Sequence, residues 1–172
     1  MKTQFNAPGD SPWHAGELAI QKSAGAVRAM DLPGRLYVRN FLLDQHRTFY
    51  PLLHFIVLGA VDPQGDVWAT VRAGEPGFLQ SPDSATLVVR APRDAADPAE
   101  SGMEDGDAVG VLGLDLMTRR RNRMNGNLRR SGEGTLDIGV VQSFGNCPRY
   151  IQNRNFSFAR DPALPSSKPA LH

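Results

Sequence analysis

The sequence predicts an α+β protein built on an antiparallel β-barrel or sandwich. Three observations lead there: helix-like stretches occupy the N-terminal end, six or so short β-type runs follow, and turns rich in Gly, Pro and Asp separate them. At 172 residues the chain is long enough for one domain with a real core.

Ser11-Pro12 reads as a helix start, with Ser at the cap and Pro in the first turn, and Gly34 closes that segment beyond the Ala-rich stretch 18–30. A second amphipathic stretch spans 38–50, where Leu42, Leu43, His46, Phe49 and Tyr50 recur near helical spacing before Pro51 stops it. From residue 52 the texture turns to β. Runs 54–61 and 67–72 flank Asp62-Pro63-Gln64-Gly65 as a hairpin, and Gly74-Glu75-Pro76-Gly77 turns the chain into 78–81. Further strands are expected at 86–90, 108–116, 119–128 and 135–143. Residues 91–107, rich in Ala, Pro, Asp and Glu, read as an exposed loop, and the stretch from 159 to 172 as a disordered tail behind a domain of residues 1–158.

Composition narrows the function. A formal net charge of +1 argues against general nucleic-acid or membrane affinity, because long-range steering needs a net field. No apolar run approaches the roughly 20 residues that span a bilayer, and no basic stretch with an apolar core opens the chain, so a soluble cytoplasmic protein is expected. Cys147 is the only cysteine, which excludes an internal disulfide and a Cys-based zinc site. It has Arg149 but no His near it in sequence, which argues against a nucleophile. Without a signal peptide, the sequon Asn155-Phe156-Ser157 reads as chance. His14, His46 and His54 lack metal-ligand spacing, so no metal site is expected. Gly132-Glu133-Gly134 lacks the third glycine of a dinucleotide fingerprint and leads into a β-like run, which excludes a Rossmann reading.

The chemistry concentrates in three places. Four arginines stand within the five residues Arg119, Arg120, Arg121, Asn122 and Arg123, at the end of an apolar strand. On a strand, Arg119, Arg121, Arg123 and Asn125 share one face, and Arg120, Asn122 and Met124 the other. Three guanidinium groups on one face repel unless an anion or carboxylates share the site. A phosphate suits their fork geometry; alternatively Asp115, Glu133 and Asp137 pair with them on a solvated edge. Trp68, Thr70 and Arg72 share a face that either meets a flat cofactor with a phosphate arm or places Trp68 in the core and Arg72 at the surface. Gln80-Ser81-Pro82-Asp83 either donates to phosphate or makes a turn. Gln142, Phe144 and Asn146 lie where a strand ends; the Gln and Asn amides can read the edge of a heterocycle, or cap a junction.

The segments W-A-T-V-R (68–72), G-E-P-G-F (74–78), Q-S-P-D (80–83), G-L-D-L-M-T-R-R-R-N-R-M-N-G (113–126) and Q-S-F-G-N-C-P-R-Y-I-Q (142–152) resemble the FMN-binding proteins related to pyridoxamine 5'-phosphate oxidase, over nearly all of residues 11–154. The resemblance implies an antiparallel split β-barrel with short flanking helices, working as a homodimer with FMN at the subunit interface. It places the flavin and its phosphate arm against Trp68, Ala69, Thr70, Val71 and Arg72, with Gln80 and Ser81 adding small polar groups. Arg121, Asn122, Arg123 and Asn125 occupy the family's flavin-contacting strand, where Arg121 replaces a customary Gln. The family's substrate-binding Arg-x-His segment is not present, so pyridoxamine phosphate oxidation is not expected.

The leading expectation is an oxidoreductase-like protein transferring hydride or electrons through noncovalent FMN, with a reductase as a further partner. The alternatives are a noncatalytic flavin- or haem-binding module of the same fold, and an RNA-binding or adaptor protein using Arg119 to Arg123. A flavin carries its own redox chemistry, which accounts for the missing acid/base pair.

Overall fold

A computed structural model describes residues 11–145, 149–161 and 164 of the chain. Its elements in chain order are α1 (Ala15–Ser23), α2 (Val27–Tyr37), α3 (Asp44–Arg47), β1 (Phe55–Val61), β2 (Val67–Ala73), β3 (Leu79–Gln80), β4 (Thr86–Arg90), β5 (Ala108–Asp115), β6 (Arg120–Gly132) and β7 (Thr135–Gly145). Short 3-10 turns occupy Tyr50–Leu52 and Pro98–Gly102. The fold is α+β: the seven strands form one sheet in the order β2-β1-β5-β6-β7-β4-β3, antiparallel throughout. β2 and β3 stand at its two ends, with no ladder joining them among the described residues.

Period-two patterning positions everything that follows. Along β1, Ile56, Leu58 and Ala60 are buried while Phe55, Val57 and Gly59 are half-buried on the opposite face. β5 repeats this with Val109 and Val111 inside, and β6 with Asn122, Met124, Gly126 and Leu128. All the inward apolar residues join Tyr50, Phe49, Leu53 and Met103 in one core cluster. A bulge between Asn125 and Gly126 lets β7 pass close to β6: a Cβ at Gly126 would strike the Gly139 carbonyl, so only glycine fits there.

The strands fall close to their expected places; the helical end differs. α1 begins at Ala15 and not at Ser11-Pro12. His14 is the cap: its Nδ1 accepts the Gly16 N–H at 3.0 Å while Glu17 accepts the His14 N–H at 2.7 Å, a reciprocal pair. Gly25, at φ +66°, separates α1 from α2. Gly34 does not end a helix. It lies inside α2, where a Cβ would meet the Trp13 indole at 2.6 Å, so it serves close packing. The expected helix over 38–50 shrinks to α3 because Arg39 exchanges backbone hydrogen bonds with Ser143 of β7, at 3.0 and 2.6 Å, which holds Arg39 in a bridge to the sheet. Leu42, His46, Phe49 and Tyr50 are still buried, as their spacing required.

Two further expectations are corrected. Residues 91–107 are exposed over much of their length, as expected, but not throughout: Ala99, Glu100, Gly102 and Met103 are buried, where Glu100 accepts from Arg72 and Arg130. β6 begins at Arg120, not Arg119. Arg119 sits in the β5–β6 turn at φ 58°, so the expected face of three guanidinium groups reduces to Arg121 and Arg123 on the strand. Beyond β7, Phe156 and Phe158 pack around His54, with ring centroids 4.7 and 5.8 Å away. The expected disordered tail falls mostly outside the described residues.

Candidate functional site

The two faces of the sheet use their polar residues differently. On the inner face of β2, Thr70 and Arg72 are buried, and Trp68 at the rim donates its indole N–H to Asp62 at 2.9 Å. Arg72 donates to Asp97 at 2.8 Å, to Glu100 at 2.6 Å and to Thr70 Oγ1 at 3.0 Å. Arg130 of β6 reaches the other oxygen of Glu100 at 2.6 Å and the Met103 carbonyl at 2.9 Å. Burial pushes the Asp97 carboxyl up, but hydrogen bonds from Thr70, the Ala99 N–H and Arg72, with the charge of Arg72, outweigh it and hold Asp97 below the ordinary carboxylate range. Trp68, Thr70 and Arg72 do share a face, as the alternation required, but that face is internal. The Arg72 guanidinium is committed to carboxylates from the 98–102 turn and its cap, which ties that turn to the sheet.

The outer face carries a different pattern. Ladder registers align Ala69 of β2, Gly59 of β1, Gly110 of β5, Asn125 of β6 and Gln142 of β7 in one row across five strands. The row beside it runs Val71, Val57, Leu112, Arg123 and Phe144. The two glycines in the middle of the first row are not demanded by packing. The nearest atoms to a Cβ at Gly59 lie 3.9 Å away, and at Gly110 3.7 Å away. They leave a trough of bare backbone that admits the close approach of something flat. At its polar end the Asn125 amide donates to Gln142 Oε1 at 3.0 Å, and Gln142 donates to the Pro12 carbonyl at 3.0 Å, fixing both amides. Arg123 is exposed, and no carboxylate pairs with it among the described residues. Asp137 pairs instead with Arg129 at 3.0 Å. No carboxylate, imidazole or thiol occurs in either row.

The outer face thus brings together Ala69, Val71, Arg123, Asn125, Gln142 and Phe144, with Arg121 at its margin opposite Leu114. It does not gather the rest. Asn122 is fully buried on the inner side, where Tyr50 donates to its Oδ1 at 2.7 Å and its amide donates to the Phe144 carbonyl at 3.2 Å. Burial pushes the Tyr50 hydroxyl far above its ordinary pKa, so it remains a donor. Gln80 and Ser81 lie at the opposite end of the sheet from β2. Ser81 donates to the Asp83 carbonyl at 2.6 Å, which makes the turn, and Gln80 accepts from Arg90 at 3.3 Å. Arg119 is in the hairpin turn, and Asn146 and Cys147 lie outside the described residues. Gly59, Gly110, Val57 and Leu112 were missed from the sequence. Their signal was present: a glycine inside each of two strand-like runs, at the parity of the outward residues.

Fold and site together define an α+β domain with a single antiparallel sheet, one face of which is filled and the other floored by glycine. No family model matches the chain, and no curated protein matches it in sequence. Two solved structures of tagged HupZ from Group A Streptococcus are similar to the chain at 13% identity. One, of a single-site variant, has a TM-score of 0.48 over 61% of this chain and 99% of that one; the other has 0.49 over 66% and 99%. Among the described residues no helix is long and apolar enough to cross a membrane.

Proposed function

We propose that the chain is an FMN-binding domain of the flavin-dependent oxidoreductase type, of the kind related to pyridoxamine 5'-phosphate oxidase. In this reading its sheet is a split β-barrel, and two copies hold FMN between their outer faces. One observation carries this: the row Ala69–Gly59–Gly110–Asn125–Gln142, in which bare backbone leads into an ordered pair of amides, beside the exposed Arg123. The donor set fits the group. A glycine floor accepts a planar ring, paired amides offer donors and acceptors to a heterocycle edge, and a guanidinium suits a phosphate. Arg121 and Arg123 take the phosphate role in this proposal and Arg72 does not, since its carboxylate partners are already in place.

The exposed valines at the β2 end of the same face, Val61, Val67 and Val71, support a second copy covering it. A bound flavin would supply the electron or hydride transfer itself. The chain's residues would bind it, orient it and exclude water. A reductase partner and a cytoplasmic setting belong to the same proposal. Pyridoxamine phosphate oxidation does not.

The absence of any carboxylate, imidazole or thiol from the two rows favours a second reading, a module that holds flavin or haem without turnover. The RNA-binding reading is the weakest, because β6 sends Arg120 to one side and Arg121 and Arg123 to the other, which divides the basic stretch. The test is a visible absorption spectrum of the folded protein after incubation with FMN and removal of free ligand. Retained flavin is expected; its absence would overturn the flavin assignment. Retained flavin that NAD(P)H and a reductase do not reduce would select the noncatalytic module.

A further inference from the structure

β2 ends the sheet with its free side unprotected. The Asp62 N–H donates to the Asp66 carbonyl at 3.0 Å and the Gly74 N–H to the His54 carbonyl at 3.0 Å, both in the register of the β1–β2 ladder. Hydrogen-bonded pairs in an antiparallel ladder recur at every second residue, so Trp68, Thr70 and Arg72 turn their backbone groups to β1. The N–H and C=O groups of Val67, Ala69, Val71 and Ala73 therefore point away from the sheet, and no hydrogen bond reaches them among the described residues. These four residues carry no charge and no proline, and the register along β2 is unbroken by a bulge. Val67 is 80% exposed and Val71 59%. The opposite end of the sheet is guarded by shortness, since β3 has only two residues.

The end of this edge at Val71 and Ala73 opens into a cleft of about 340 Å³. Its walls are residues 91–94 and 156–160, which are tied to opposite sides of the sheet. On the inner side, the Asp94 N–H donates at 3.2 Å to Glu100 Oε1, the oxygen that also accepts from Arg72. On the outer side, Phe156 stacks on Phe55 with ring centroids 6.2 Å apart, and Phe55 is the ladder partner of Ala73. The edge of β2 is thus the base of a slot. A strand added there would lie in the plane of the sheet, with alternate side chains meeting the two walls.

The slot does not select by charge. Arg72 binds Asp97 and Glu100, Arg93 binds Glu104, and Arg160 and Asp94 bring opposite signs to the lining. Pro92, Phe156 and Phe158 add apolar surface. What the fold leaves unanswered is a row of main-chain donors and acceptors at strand spacing, and an extended main chain matches that row group for group.

We propose that the free edge of β2, with the slot at its Ala73 end, binds an extended peptide segment of another protein by strand addition. The segment is uncharged where it enters the slot and sets an apolar side chain against Phe156 and Phe158.

The test is a backbone-amide NMR titration of the full chain, without flavin, using a capped peptide of alternating Thr and Val as the probe. Saturable shifts are expected at the Val71 and Ala73 amides. Methylating the nitrogen of every second peptide residue separates main-chain pairing from apolar capture, because only alternate peptide amides face β2. One of the two alternating patterns should weaken binding about tenfold or more, and the other far less. Ala73→Pro removes one outward donor at an edge where proline is tolerated and should weaken binding about threefold or more. Phe158→Ala, which leaves the strand itself untouched, should weaken it as well. Three results would overturn the proposal: no shift in the folded protein at millimolar peptide, undiminished binding of both methylated peptides, or protection of the same amides that rises with protein concentration alone and so assigns the edge to a second copy. Because the readout needs no flavin, failure of the flavin reading would leave it intact.

Discussion

Arg72 and Arg123 lie on strands of the same sheet and differ in nearly everything else. Arg72 faces inward, is buried, and binds Asp97 and Glu100; Arg123 faces outward beside a glycine trough and Phe144. A guanidinium whose carboxylates are built into the fold is a fastening. One held at the edge of bare backbone is placed to meet something else. The inner face therefore carries stability and the outer face, in the proposed reading, carries binding, and substitutions should separate the two.

The largest effect is expected from Glu100→Ala, which removes the shared partner of Arg72 and Arg130 and leaves buried charge uncompensated. A loss of about 3–5 kcal/mol in urea unfolding is expected. A loss under about 1 kcal/mol would mean that the network does not fasten the 98–102 turn. On the outer face, Arg123→Ala should cost about 1.5–3 kcal/mol of FMN affinity by fluorescence titration. The same change should move unfolding stability by no more than about 0.5 kcal/mol. The reverse pattern would break the comparison.

Tyr50→Phe leaves the buried Asn122 Oδ1 without its donor and should destabilise by about 1–3 kcal/mol. Flavin affinity should be unchanged, since Asn122 is on the inner side. Acid provides a finer probe of the fastening. The folded state holds Asp97 below the ordinary carboxylate value of 3.8, so its contribution is fully present above that value and is lost as pH falls below it, through the folded pKa. Unfolding followed from pH 5 downward should show this loss in the wild type and a smaller one in Asp97→Asn; equal slopes would contradict it. The smallest effect is expected from Asn125→Ala, about 0.5–1.5 kcal/mol in flavin affinity for one neutral hydrogen bond.

Sequence patterning located the strands well because alternation records burial directly: Ile56, Leu58 and Ala60 inside and Val57 and Gly59 outside can be read along one short run. It recovered the outward parity of Arg121, Arg123 and Asn125 for the same reason. The helical end was less legible, since Arg39 pairs with Ser143, 104 positions away in the chain, and local spacing holds no trace of that pairing. The carboxylate partners of Arg72 were not legible for a related reason. Parity fixes which residues share a face, but the presence of Asp97 and Glu100 on that face depends on how 91–107 folds back. Acidic, Pro-rich composition concealed that loop's buried turn. Gly59 and Gly110 were visible letter by letter, yet their alignment into a trough required the register of five strands.

The most direct test of the outer face is Gly110→Val, compared with the wild type in an FMN titration followed by flavin fluorescence. The nearest atom to the new Cβ would be 3.7 Å away, so the sheet has room for the change and the fold should persist with unchanged or slightly higher stability. Saturable quenching is expected in the wild type and its loss in the folded variant, because the valine would fill the floor proposed for the ring. Equal quenching by both proteins would contradict the assignment of the glycine row as the flavin site.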